Sequence, residues 1–148
     1  MGLIDDLGGG SVGVDSAVFI YFIEQHATYL ATVLPLFEEA DRGDRQLVTS
    51  AITLLEVLVV PFRAGDVRLA ARYEALLTRS RGVRTVELSI EQLRAAARLR
   101  ASSGVKTPDA LQLSAAVAAG CSTFVTNDRR LPAVPGLRIL DLSSYARS

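Results

Sequence analysis

The chain has 148 residues, 49% of them apolar and 22% charged, a globular composition long enough for one compact domain with its own core. Sixteen basic residues balance sixteen acidic ones, so charge offers no broad basic face for nucleic acid or an anionic membrane. A single cysteine, Cys121, excludes an internal disulfide framework and a cysteine-based zinc site, and a single histidine, His26, excludes a histidine-rich metal site.

Residues 1–10 read as a flexible lead-in ending in Gly8-Gly9-Gly10, and residues 11–148 as a single domain. The acidic start lacks the basic and apolar regions of a signal peptide, and Asp6 stands where a myristoylation motif needs Ser or Thr. No apolar run approaches the roughly 20 residues of a membrane span. The expected address is the cytoplasm, without membrane association.

Ser11 to Val14 reads as a short strand, with Asp15 at its end. A buried helix opens at Ser16, and a second follows over 28–40 with a kink at Pro35. Gln46 to Thr49 is a second strand. Ser50 caps a helix over 51–60 that breaks near Pro61. Asp66 caps an amphipathic helix through Thr78, whose apolar stripe is a candidate dimer surface. Val83 to Leu88 is a third strand, and Ser89 with Gln92 makes a capping box for the next helix. Thr107 at the cap and Pro108 at the first helical position open a helix that Gly120 closes. Ser122 to Thr126 and Leu137 to Leu140 complete five strands. Strands alternating with helices predict an α/β fold with a mostly parallel central sheet, whose ligand sites lie beyond the strand carboxyl ends.

Four acids stand out near changes of element, Asp15, Glu56, Asp109 and Asp128, and of these Asp15 and Asp128 fall just past a strand's carboxyl end. Each has an ordinary alternative. Asp15 reads equally as a helix cap, Glu56 as half of a buried ion pair, Asp109 as a helix-dipole partner, and Asp128 as part of an Asx turn. Glu56 is the only charge in Ala51 to Val60. Four carboxylates that converge repel one another unless a divalent cation sits among them. Oxygen ligands suit Mg²⁺ or Mn²⁺, which act on phosphate esters.

Four pieces occur in order: Val14-Asp15-Ser16-Ala17-Val18-Phe19, Ser50-Ala51-Ile52-Thr53-Leu54-Leu55-Glu56, Thr107-Pro108-Asp109-Ala110-Leu111-Gln112, and Phe124-Val125-Thr126-Asn127-Asp128-Arg129-Arg130-Leu131. With these the chain resembles the PIN-domain family, and within it the VapC-like toxins of bacterial toxin–antitoxin pairs. The resemblance implies a Rossmann-like three-layer α/β/α sandwich and a metal-dependent endoribonuclease. It implies a catalytic and metal-binding set of Asp15, Glu56, Asp109 and Asp128, with Asp15 and Asp109 the principal ligands of Mg²⁺ (or Mn²⁺), and Thr126 as a pocket hydroxyl. It also implies a homodimer, an RNA substrate and a small cognate antitoxin protein. Ala17 departs from the polar residue more usual at that place, and Asp5-Asp6 has no counterpart. Arg129, Arg130 and Lys106 adjoin the acids and are candidates for RNA contacts, although each also reads as a solvated surface residue.

Three other readings compete. A receiver-like domain would need a lysine at a late strand end, whereas Lys106 precedes a helix. A nucleotide-binding domain would need a glycine-rich loop after the first strand, whereas Gly8 to Gly10 precede it. A non-catalytic PIN-like scaffold for RNA or a protein partner remains as the alternative.

Overall fold

The computed structural model describes residues 2–146. Five strands, β1 (Val12–Val14), β2 (Leu47–Ser50), β3 (Val83–Val86), β4 (Thr123–Thr126) and β5 (Arg138–Asp141), form one sheet in the order β3-β2-β1-β4-β5. Every neighbouring pair runs parallel, so the sheet is wholly rather than mostly parallel. The helices are α1 (Leu3–Leu7), α2 (Ser16–Ile23), α3 (Leu30–Asp41), α4 (Ile52–Ala64), α5 (Val67–Arg79), α6 (Ile90–Ser103) and α7 (Thr107–Ala118).

Side chains alternate across a strand, and here the two faces bury different partners. Val12, Val14, Leu47 and Val125 pack with residues of α1 to α5. Val48 and Phe124 pack with Leu113 and Ala116 of α7 and with Leu99 of α6. The result is the expected three-layer α/β/α sandwich. Burial on both faces explains why the inner strands read as continuous apolar runs. Gly13, between the two inward-facing valines of β1, faces α7. A Cβ there would lie 2.7 Å from both Ala116 Cβ and Phe124 Cδ1, so β1 and α7 approach more closely than any side chain allows.

Several local expectations change. The anticipated flexible lead-in contains α1, with Leu3 and Leu7 buried in the main core. These leucines are four residues apart and share one helix face. Tyr145 Oη donates to Asp6 Oδ2 at 2.6 Å, and the Arg45 guanidinium donates to the carbonyls of Gly8 and Gly10. Met1, Arg147 and Ser148 lie outside the described residues. Helix α3 begins at Leu30 rather than Thr28, because His26 Nδ1 already accepts from the amides of Thr28 and Tyr29. Helix α4 runs through Pro61 to Ala64, held by the burial of Val57, Leu58 and Pro61. It ends at Gly65, whose φ of 68° is left-handed. Helix α7 starts at Thr107 with Lys106 at its cap, which puts Asp109 third in the helix rather than second. Ser89 does accept from the Gln92 amide, the forward half of the expected capping box.

Gly13→Ala is expected to destabilise the fold by about 1–3 kcal/mol, because neither Ala116 nor Phe124 can withdraw without opening the core. Urea denaturation checks this. An unchanged midpoint would mean that the sheet and α7 are spaced more loosely.

Candidate active site

In the order β3-β2-β1-β4-β5 the chain winds outward in both directions from β1, so the strand order reverses between β1 and β4. Connections leave the sheet there in opposite directions and open a crevice at the carboxyl ends of the strands. Asp15 immediately follows β1, and Thr126 ends β4. The Asp15 amide donates to the Val125 carbonyl at 3.3 Å and ties the two strand ends together.

Asp15 precedes α2 but makes no side-chain cap to it. Its carboxylate is aimed at β4 instead. Oδ2 accepts from Thr126 Oγ1 at 2.5 Å, while Oδ1 is buried without any hydrogen-bond partner. Burial pushes the Asp15 carboxyl from 3.8 up to about 6. The Thr126 hydroxyl and the nearby amides of Val18 and Asn127 oppose that rise, while the charge of Asp109 adds to it. Thr126 is itself buried, and its oxygen also accepts from the Asp128 amide at 3.0 Å. One hydroxyl therefore positions both an acid and the turn that carries another.

Asp109, half-buried in the first turn of α7, is raised by burial and by the charge of Asp128, against Arg130 and Lys106. Glu56, half-buried one turn into α4, is raised by burial and by Asp109. The Ser16 hydroxyl and the Gln112 side chain favour its charged form. Asp128 is held below the usual carboxylate range by the backbone amide and guanidinium of Arg130. Both donate to its Oδ1, at 2.9 and 3.1 Å. Asp109 is the acid that links the set electrostatically: its charge acts on Asp15 and on Glu56, and it responds in turn to Asp128.

Among the described residues no three acidic, histidine or cysteine side chains gather tightly enough to cage a metal ion by themselves. Mg²⁺ does not require such a cage. It keeps several waters and is commonly held by one or two carboxylates. A buried carboxylate oxygen with nothing to bind, beside acids whose neutral forms are favoured, suits a divalent cation.

The basic candidates divide. Arg130 lies across Asp128, and Lys106 is close enough to both Asp109 and Asp128 to influence them. Arg129 turns away, donating from Nε to Asp141 Oδ2 at 2.9 Å and to Ser143 Oγ. Asp141, at the end of β5 and in register with Thr126, is a further acid on this edge. Burial works to raise it, but hydrogen bonds from Ser143 and Arg129 more than offset that and hold it low.

Sequence reading did not single out Asp141, Ser16 or Gln112. The buried Gln112 amide bridges α7 to β2 and α4. Its Oε1 accepts from Thr49 Oγ1 at 3.0 Å and from the Ser50 amide at 3.1 Å, and its Nε2 donates to Thr53 Oγ1. The available signal was an amide three residues after Asp109 in a helix of small apolar residues. A cavity of about 690 Å³ opens at the other end of the sheet, between α3, α5 and the start of β3, and none of these acids lines it.

A family model for the PIN domain matches residues 12–137. No curated protein matches the chain significantly in sequence. Among solved structures, VapBC2 from Rickettsia felis bound to a DNA fragment from its promoter aligns with a TM-score of 0.66 at 18% identity, covering 88% of this chain and 98% of that one. The sarcin-ricin loop cleaving toxin VapC20 of Mycobacterium tuberculosis aligns with a TM-score of 0.65 at 16% identity, over 80% of this chain and 91% of that one. DNA-bound VapBC of Salmonella typhimurium gives 0.62 at 19% identity, over 90% and 98%. These likenesses carry the fold, and the family model carries the relationship: with its acids at the switch point of a wholly parallel sheet, the chain belongs to the PIN-domain family.

Proposed function

We propose that this chain is a Mg²⁺-dependent endoribonuclease, with Mn²⁺ as a possible substitute, and the toxin of a toxin–antitoxin pair. The observation that carries the reading is the buried, unpartnered Oδ1 of Asp15, with the charge of Asp109 close enough to act on that carboxylate. The toxin assignment draws on the likeness in fold to VapBC complexes and to a toxin that cleaves RNA. By the same analogy a small antitoxin protein, a second copy of the chain and a cytoplasmic location are the proposed context. No helix among the described residues is long and apolar enough to cross a membrane.

In this reading Asp15 and Asp109 hold the cation, and Thr126 fixes the Asp15 carboxylate through Oδ2 so that Oδ1 stays free. A bound divalent ion supplies positive charge to the phosphate oxygens and makes a water easier to deprotonate. Glu56, raised by burial, takes up the proton from the attacking water. The water oxygen bonds to phosphorus, the bond to the 3′ oxygen breaks, and that oxygen takes a proton. The products carry 5′-phosphate and 3′-hydroxyl ends. Asp128 orients Arg130, which with Lys106 offers cationic contacts to the flanking phosphates. Arg129 is committed to Asp141 and Ser143 and takes a lesser part.

The alternative of a non-catalytic scaffold draws on the spacing of the acids, which form no closed cage among the described residues. Calorimetric titration with Mn²⁺ separates the two, since the scaffold binds no ion at millimolar concentration.

Asp15→Asn and Asp109→Asn are each expected to lower RNA cleavage by about 10²–10³-fold, because each weakens the hold on the cation that would stabilise charge at the reacting phosphate. Thr126→Val should cost about 10–100-fold by freeing the Asp15 carboxylate. Retained Mg²⁺-dependent cleavage in both Asn variants would sink the mechanism.

A second expectation concerns pH. The native state holds the Asp15 proton up to about pH 6, whereas a solvated aspartate releases it near 3.8. Between those values the native state binds more protons than the unfolded chain, so stability from this group is full below about 3.8 and declines as pH rises through about 6. Relative to wild type, metal-free Asp15→Asn should therefore gain about 2–3 kcal/mol between pH 4 and pH 7. Mg²⁺ should stabilise wild type at pH 7.5 and lose that effect toward pH 5. A pH-independent difference between the two proteins in urea denaturation would contradict the assignment.

A further inference from the structure

Beside the acids stands a cluster of rings that the proposed chemistry does not use. At the end of α2 the chain turns sharply. Gln25 has a φ of 54°, the one non-glycine residue in the left-handed region among those described. The His26 amide donates back to the Tyr21 carbonyl at 2.9 Å. This turn lays His26 on Tyr21, with ring centroids 4.7 Å apart. Tyr29 stacks on Tyr21 at 4.8 Å and 24°, and lies 5.2 Å from His26. The His26 ring is fixed in place, because Nδ1 accepts from the amides of Thr28 and Tyr29 at 3.1 and 3.2 Å. In the neutral ring the proton is therefore on Nε2.

The cluster is joined to the site. Tyr21 Oη accepts from Asn127 Nδ2 at 2.9 Å, and Asn127 lies between Thr126 and Asp128. His26 is exposed, and Tyr21 and Tyr29 are half-exposed, whereas Phe19 and Phe37 are buried against each other in the core. No charged residue occurs from Gln25 to Phe37. The rings thus come from an uncharged stretch of chain, while Arg130 and Lys106 supply positive charge on the side of Asp109 and Asp128.

Flat, uncharged ring faces beside a phosphate-handling site match the face of a nucleobase. Base–aromatic stacking contributes about 1–3 kcal/mol per base and is tolerant of sequence. We propose that Tyr21, His26 and Tyr29 form a stacking platform for one unpaired nucleobase of the strand whose phosphate is held at the acids. This rests on the ribonuclease reading and assigns a base next to the bound phosphate to these three rings; the bases of a duplex are already stacked on one another and would not reach them.

The test measures binding without cleavage. The full-length chain in EDTA is titrated with a fluorescent single-stranded oligoadenylate and with the same strand annealed to oligouridylate, by anisotropy at fixed salt. His26→Asn keeps an acceptor for the Thr28 and Tyr29 amides but loses the ring. Tyr29→Leu keeps apolar bulk but loses stacking, and Tyr29→Phe keeps the ring.

The expected result is about tenfold weaker single-strand binding for His26→Asn and for Tyr29→Leu, wild-type binding for Tyr29→Phe, and no change for the duplex. The slope of affinity against salt should stay constant, since no phosphate contact is removed. Wild-type binding by both ring-deleted variants overturns the platform, as does equal weakening for single strand and duplex, or no single-strand binding by the wild type. Ring-dependent binding without any Mg²⁺-dependent cleavage would leave the platform standing and remove the ribonuclease reading. Cleavage with an unchanged KM in the ring-deleted variants would do the reverse.

Discussion

The carboxylate of Asp15 is carried into a place where water does not reach one of its oxygens. Placing an ionisable group there opposes folding, because desolvation penalises its charged form. The sheet imposes this position. Asp15 is the residue at which β1 leaves the sheet beside β4, and there Thr126 satisfies one carboxylate oxygen while the other is left without a hydrogen-bond partner. A solvated aspartate at a helix cap would serve stability better. Asp15 occupies the cap position and does not cap. That forfeited stabilisation is what the proposed role of Asp15 in binding would account for.

The surrounding structure maintains the arrangement through contacts that are themselves buried. Thr126 ties Asp15 to the turn bearing Asp128. Gln112 fastens the helix of Asp109 to the strand and helix leading to Glu56, through Thr49, Ser50 and Thr53. The side chain missing at Gly13 lets α7 settle against β1. Because neutral amides and hydroxyls make these links, the acids are not neutralised by internal ion pairs. Among the described residues, Asp128 alone of the four has a direct cationic partner, and Arg130, which supplies it, is largely solvent-exposed.

Much of the fold was legible because its signals are local. Apolar runs marked the strands, Gly120 and Ser89 marked helix ends, and the Thr107-Pro108-Asp109 opening marked α7 within one residue. The misreadings arose where a distant contact overrode a local rule. Gly8 to Gly10 drew attention from Leu3 and Leu7, whose burial depends on a core assembled by later residues. Pro61 reads as a breaker until the packing of Val57 and Leu58 carries α4 through it. The pairing of Arg129 with Asp141 is a separate matter that no local signal carried: parallel pairing of β4 and β5 brings the two together.

By itself the sequence determined the alternation of strands and helices, and the identity of the four acids at element boundaries. Both depend on periodicity and on neighbours within a few residues. Only the tertiary structure decided that those acids share one end of the sheet, that Asp15 keeps a free buried oxygen, and that Gln112 and Thr126 hold the set in place. These features depend on the strand order and on contacts between residues up to 111 positions apart, which no local pattern contains.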